Sequence, residues 1–209
     1  GSAGVDIDIG IPAPSRQPRL PDPFMARIIA IANQKGGVGK TTTSVNLAAA
    51  LALAPKRVLL VDLDAQGNAT MGSGVDKRDL AGSTCDVMLE EMHAADAIVR
   101  TPEGFDLLPG NSDLTAAEIE LMDEPGREQR LRRALEPLRE RYDFILVDCP
   151  PALSLLTLNA LTAADSILVP MQCEYYALEG LSALLQTIDA LKAKLNPDLE
   201  IEGVLRTMF

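Results

Sequence analysis

The sequence predicts an α/β fold, a doubly wound and mainly parallel sheet with helices on both faces. Five short apolar runs have the length and composition of buried strands, at residues 28–32, 57–62, 144–147, 166–170 and 201–207. Segments long enough for helices separate most of these runs, and such alternation favours parallel strands joined by crossover helices. Because 47% of the residues are hydrophobic and only 3% are aromatic, we expect an aliphatic core.

The composition limits the classes of protein that the chain can represent. At 209 residues the length fits one domain, which we place at residues 25–209. No apolar run approaches the roughly 20 residues of a membrane-spanning helix, so we expect a cytoplasmic protein without a membrane partner. The cysteines Cys85, Cys149 and Cys173 lack C-x-x-C spacing and are expected to be reduced thiols.

The segment before Met25 differs from the rest because it contains five prolines. Proline is excluded from helix interiors and inner strands. We therefore expect residues 1–24 to be a disordered arm or, at the Gly1-Ser2 start, a remnant of cloning. The formal net charge of the chain is −11, which argues against bulk-charge coating of nucleic acid but leaves a local basic patch open.

The first predicted strand, 28–32, leads into a glycine-rich loop and then into an alanine-rich helix. Strand, glycine loop, Lys-Thr and helix form the layout of a phosphate-binding P-loop. The glycines let successive N–H groups turn toward an anion, and the helix N-terminus adds further donors. Lys40 is placed for the terminal phosphates and Thr41 for Mg²⁺. The predicted phosphate-binding residues are Lys35, Gly36, Gly37, Val38, Gly39, Lys40, Thr41 and Thr42. The alternative is a glycine-rich turn that happens to contain a lysine.

The second strand, 57–62, ends in a carboxylate and continues as the polar stretch LDAQGNAT. Ligands of open α/β sheets bind beyond the carboxyl ends of the strands. Asp64 is therefore expected close to the phosphates, although an aspartate in such a loop is more often a turn residue.

The middle of the chain carries weaker signals. We expect a helix at Ser83–Met92, a hairpin at Val99–Leu108, a helix at Ser112–Met122 capped by Ser112, and an arginine-rich helix at Arg127–Arg141. Glutamates interleave with the arginines, so an ion-paired solvent face is the first interpretation and a DNA-contacting surface the second.

The third long apolar run, 144–147, places Asp148 at a strand tip. In a P-loop protein such an aspartate is typical of Walker B, which holds Mg²⁺ directly or through water. Helices are then predicted at 154–163 and 177–195, the second ending at Asn196-Pro197. Its core-facing stripe comprises Leu181, Leu184, Leu185, Ile188 and Leu191.

Four motifs together resemble the ParA/MinD superfamily, and most closely its ParA-type partition ATPases. They are ANQKGGVGKTT, VDLDAQGNAT, ILVDCPP and PMQCEYYALEGL. The loop has Gln34 where the common P-loop has glycine and gains Lys35, as in the deviant Walker A motif of that superfamily. The resemblance implies ATP and Mg²⁺ as ligands and an ATP-dependent homodimer. It also implies nonspecific DNA binding on the nucleoid, and a ParB-type partner in chromosome or plasmid segregation.

The resemblance also implies residue roles. Lys35 would reach the nucleotide of the partner subunit, Lys40 would bind the phosphates, and Asp64 would orient the attacking water. Thr41 and Asp148 would hold Mg²⁺, with Asp62 in its shell. Family members usually continue past Phe209, so the fold is expected to be short of the C-terminal part that supplies adenine and DNA contacts.

Three alternatives use the same loop. A MinD-like or polar-localisation ATPase would act on a membrane or a protein cluster. An iron protein of the nitrogenase-reductase kind would need cluster-binding cysteines, for which the spacing here is unconvincing. A nucleotide-binding module without turnover is the third.

Overall fold

The computed structural model describes residues 25–77, 80–172 and 177–207, without the side chains of 177–180. The expected arm at 1–24 and the segment 173–176, with Cys173, lie outside the described residues. The strands are β1 (Arg27–Ile31), β2 (Val58–Asp62), β3 (Val99–Arg100), β4 (Asp106–Leu108), β5 (Phe144–Asp148), β6 (Ser166–Gln172) and β7 (Glu200–Thr207). The helices are α1 (Lys40–Leu53), α2 (Asn68–Gly72), α3 (Thr84–Met88), α4 (Ala94–Ala97), α5 (Leu114–Glu120), α6 (Arg130–Leu135), α7 (Leu155–Ala163) and α8 (Ala177–Lys194).

The described strands form one sheet of seven, in the order β3-β4-β2-β5-β1-β6-β7. All neighbours are parallel except β3 and β4, which form the expected antiparallel hairpin. The predicted fold class is confirmed. In the register of β2 and β5, Asp62 lies beside Asp148, and Ile31 of β1 lies on the other side of Asp148. The carboxyl ends of the three central strands therefore meet at one edge of the sheet.

Alternate side chains of the central strands enter two separate cores. Ile29, Leu60 and Leu146 pack with α1 on one face. Ile28 and Val61 point the other way and pack with α3, α5, α6, α7 and α8. Strands buried on both faces need apolar side chains at every position, which explains the continuous apolar runs in the sequence. No helix in the described ranges has both the length and the apolar character needed to span a bilayer.

The arginine-rich segment is not the single helix that we predicted. It forms a 3₁₀ turn at Arg127–Gln129, the short helix α6, and a second 3₁₀ turn at Glu136–Leu138. Pro137 lies at the start of that second turn, and its missing N–H ends the α-helical hydrogen bonding. Four of the arginines form ion pairs, but only Arg127 and Arg139 pair with glutamates interleaved in the segment, as the first interpretation expects. Their pairs are Arg127–Glu128, Arg130–Glu90, Arg130–Glu124, Arg133–Glu90, Arg139–Glu136 and Arg139–Asp165.

Three further predictions need correction. The N-cap position of α5 is Asp113 rather than Ser112, and the Asp113 side chain makes no capping hydrogen bond. Its backbone N–H donates to the Asn111 side chain in the turn before the helix. The helix predicted to reach Met92 ends at Met88, two residues before Glu90, whose φ of 62° cannot continue a helix. Leu185 is 37% exposed, because it lies at the edge of the stripe whose other described members face the core.

Candidate functional site

The loop between β1 and α1 has the backbone of an anion cradle. Gly37 and Gly39 adopt φ values of 73° and 87°, which a side chain would disfavour. A Cβ built on Gly36 or Gly37 would meet no heavy atom within 4 Å, so open space lies over the loop. Val38, between Gly37 and Gly39, is fully buried and anchors the loop in the protein. The predicted glycine loop therefore has the conformation and the room for phosphate groups.

The lysines of the loop are held in different ways. Lys40, the first residue of α1, is buried, and its Nζ donates to the carbonyl oxygen of Lys35 over 3.0 Å. Desolvation lowers the pKa of Lys40, and the negative charges of Asp148 and Asp64 partly offset this by raising it. Lys35 is half-buried, and its backbone N–H donates to Oδ1 of Asn33. Thr42 is exposed on the first turn of α1.

Asp148 is joined to the P-loop helix by two hydroxyl groups. Thr41 Oγ1 donates to Oδ2 of Asp148 over 2.8 Å, and Ser44 Oγ donates to Oδ1 over 2.7 Å. Burial raises the pKa of Asp148 to about 7, the Ser44 hydrogen bond opposes the rise, and the charge of Asp62 adds to it. A carboxylate that is this costly to ionise gains most from a cation placed beside it.

The donor set around Asp148 suits a magnesium ion. Hydroxyl and carboxylate oxygens are the ligands of a hard cation. The described residues contain no group of three or more His, Cys, Asp or Glu side chains that could enclose a metal alone. Mg²⁺ commonly uses few protein ligands and completes its shell with water and phosphate oxygens. Thr41 and Asp148 fit this pattern.

Asp62 has a similar position and different partners. Its Oδ2 accepts from the backbone N–H and the hydroxyl of Thr70 over 2.8 and 2.7 Å, and its Oδ1 accepts from the N–H of Asp64 over 3.2 Å. The Thr70 hydroxyl in turn accepts from the N–H of Gly110 over 2.9 Å. A Cβ at Gly110 would lie 2.8 Å from the Asp62 carbonyl oxygen. Asp62 thus fixes the loop that follows β2.

Asp64 combines the two interpretations given from the sequence. Its Oδ1 accepts from the N–H of Gln66 over 2.9 Å, which is a turn hydrogen bond. Its charge also raises the pKa of both Lys40 and Asp148, so the carboxylate lies in the field of the P-loop site. The side chain is half-buried, as a group that meets a ligand and water should be.

Sequence reasoning missed two residues of this arrangement, Ser44 and Thr70. Ser44 follows Lys40 by four positions and Thr41 by three, so helical spacing could have placed it on the same face. For Thr70 the sequence offers no comparable signal, because its contact with Asp62 depends on how the intervening loop folds.

The comparisons with known proteins agree with this geometry. A family model described as an AAA domain matches residues 26–201. The sporulation initiation inhibitor protein Soj of Bacillus subtilis is 57% identical over 186 residues, which are 88% of this chain and 74% of that protein. The chromosome partitioning protein ParA of Caulobacter vibrioides is 50% identical, over 88% of this chain and 70% of that protein.

A solved structure extends the likeness to the fold. It is that of cobyrinic acid a,c-diamide synthase from Mycobacterium smegmatis with bound ADP and magnesium, with a TM-score of 0.86 and 48% identity, covering 88% of this chain and 76% of that one. Sequence, fold and loop geometry agree, and the chain belongs to the AAA-domain family of P-loop ATPases that includes Soj and ParA.

Proposed function

We propose that the chain is a Mg²⁺-dependent ATPase of the partition type. In this proposal it dimerises on ATP, binds DNA without sequence preference and drives chromosome or plasmid segregation with a ParB-type partner. The observation that carries the proposal is the contact of Thr41 and Ser44 with Asp148, directly beside the glycine loop. It occurs in a chain that is 57% identical to Soj. The M. smegmatis protein has also been solved with an ATP analogue and magnesium, which supports ATP as the nucleotide.

The reaction is transfer of the γ-phosphoryl group to water, in which positioning and charge neutralisation do most of the work. The N–H groups from Gly37 to Thr41 and the ammonium of Lys40 bind the phosphate oxygens. Bound Mg²⁺ supplies positive charge for the phosphate oxygens. Thr41 and Asp148 hold and orient that ion, and Asp62 supports the site beside them.

Two residues complete the hydrolytic site in this proposal. Asp64 orients the attacking water from the loop after β2. Lys35 of each subunit reaches the phosphates bound to the other subunit, and such an added cation contributes roughly 10³- to 10⁵-fold in related phosphoryl transfers. Asp64→Ala should therefore still bind ATP, hydrolyse it slowly and accumulate as a dimer. Wild-type turnover by Asp64→Ala would show that another group orients the water.

A second candidate function is diamide synthesis, because the structure of that name is 48% identical to this chain. The two functions differ in what stimulates ATP consumption. Stimulation by cobyrinic acid and a nitrogen donor, with an amide as product, would favour synthesis. Stimulation by DNA with a ParB-type protein would favour partition. ATP-dependent sedimentation with lipid vesicles would instead indicate the MinD-like alternative.

The direct test of the proposal is a DNA mobility-shift assay with ATP, with ADP and without nucleotide. We expect a shift with ATP alone, and none for Lys40→Ala, which should lose tight ATP binding while leaving the fold intact. A shift that does not depend on nucleotide, or no shift in a protein that demonstrably binds ATP, would contradict the proposal.

A further inference from the structure

Side chains outside the P-loop pattern hold the loop from the neighbouring strands. Thr207, the last residue of β7, donates its hydroxyl hydrogen bond to the carbonyl oxygen of Val38 over 2.8 Å. Gln172, the last residue of β6, places its Nε2 3.4 Å from the carbonyl oxygen of Gly37. The first distance is that of a well-formed hydrogen bond, and the second is near the outer limit. Thr207 is therefore the stronger of the two supports.

The contact of Thr207 with the Val38 carbonyl also determines the direction of the Gly39 N–H. The carbonyl of Val38 and the N–H of Gly39 belong to one peptide unit, and in a trans unit they point in opposite directions. The described residues contain no cis peptide bond. Because Thr207 fixes the carbonyl on the β7 side, the Gly39 N–H points away from β7. Gly39, at a φ of 87°, has little conformational preference of its own to keep it there.

The N–H groups on this side of the loop are available to a ligand. Within the described ranges, the backbone N–H groups of Gly36, Gly37 and Gly39 donate to no backbone carbonyl. A Cβ on Gly36 or Gly37 would meet only open space. Exposed donors of this kind bind an anion well only when they are held in place before it arrives.

We propose that Thr207 is a positioning residue for phosphate binding, which fixes the Val38–Gly39 peptide unit so that its N–H faces the phosphate chain. The proposal rests on the function proposed above, in which the loop binds a nucleotide. The competing explanation is that Thr207 only stabilises β7 as a β-branched strand residue. Valine has the same shape and strand preference but cannot donate, so Thr207→Val separates the two explanations.

The experiment is calorimetric titration of the full chain with ADP and Mg²⁺, and separately with pyrophosphate. We expect Thr207→Val to weaken both ligands roughly fivefold, the effect of losing one neutral hydrogen bond. Thr207→Ser keeps the donor and should bind within about twofold of wild type. Thr187→Val is the matched control, since the Thr187 hydroxyl is also half-buried and donates to a carbonyl, that of Ala183, far along α8.

Each outcome decides between the explanations. Thr207→Val with wild-type affinity would overturn the inference while leaving the proposed function intact. Equal losses in Thr207→Ser and Thr207→Val, accompanied by a lower unfolding midpoint without nucleotide, would overturn it in favour of a purely structural role. A wild-type chain that binds neither ADP nor pyrophosphate would refute the proposed function and this inference together.

Discussion

The carboxyl ends of β2 and β5 have the same sequence pattern but contact different parts of the protein. Each strand is an apolar run that ends in a fully buried aspartate, Asp62 or Asp148, and the two residues are neighbours in register. Asp62 is bound by the backbone and hydroxyl of its own following loop. Asp148 is bound by hydroxyls of the P-loop helix. The partners, rather than the position at a strand end, distinguish a carboxylate that fixes its own loop from one that is joined to the P-loop helix, where we propose that it binds Mg²⁺.

The largest expected effect is on turnover in Asp148→Asn. The amide keeps an oxygen acceptor but loses the negative charge, so the hold on Mg²⁺ weakens and hydrolysis should fall by about 100-fold. Steady-state phosphate release at saturating ATP and Mg²⁺ measures this. Asp62→Asn should lose less, and an equal loss in both variants would remove the distinction between the two tips.

A smaller effect is expected on stability when Asp62 loses a partner. Thr70→Val removes the hydroxyl that donates to Asp62 and accepts from the Gly110 N–H, leaving two buried groups short of a partner. We expect a loss of about 2 to 3 kcal/mol in the free energy of unfolding, measured by urea denaturation. Thr162→Val is the control, because its buried hydroxyl donates only to a carbonyl of α7 and should cost about 1 kcal/mol. Equal losses in the two variants would contradict the role given to Thr70.

The smallest effect concerns pH in the absence of Mg²⁺. The pKa of Asp148 is raised to about 7 in the folded protein, so folding favours its protonated form. Its stabilising contribution is complete below the ordinary pKa of an aspartate and is lost as the pH rises through 7. Asp148→Asn should not lose stability in this way, because the asparagine amide does not ionise. Its advantage over wild type in thermal unfolding should grow between pH 5 and pH 8 by about 1 to 2 kcal/mol, and a constant difference would argue against the raised pKa.

Local signals in the sequence predicted the fold and the positions of most residues of the candidate site. The five apolar runs, the glycine loop and Asp148 at its strand tip were all readable, because buried parallel strands and P-loops follow short patterns. The prediction of one helix over the arginine-rich segment was wrong, because Pro137 interrupts the helical hydrogen bonding there. Thr70 contacts Asp62, 8 positions away in sequence, and Thr207 contacts Val38, 169 positions away. Both contacts form only when the chain folds, so no local sequence pattern predicts them.

The central claim is that Asp148, supported by Asp62, is the carboxylate that serves the cation of a nucleotide site. The most direct test is the affinity of the protein for ADP with and without Mg²⁺, compared between Asp148→Asn and Asp62→Asn. We predict that Mg²⁺ strengthens ADP binding by wild type and by Asp62→Asn, and has little effect on Asp148→Asn. The reverse pattern, with Mg²⁺ dependence kept by Asp148→Asn and lost by Asp62→Asn, would contradict the claim.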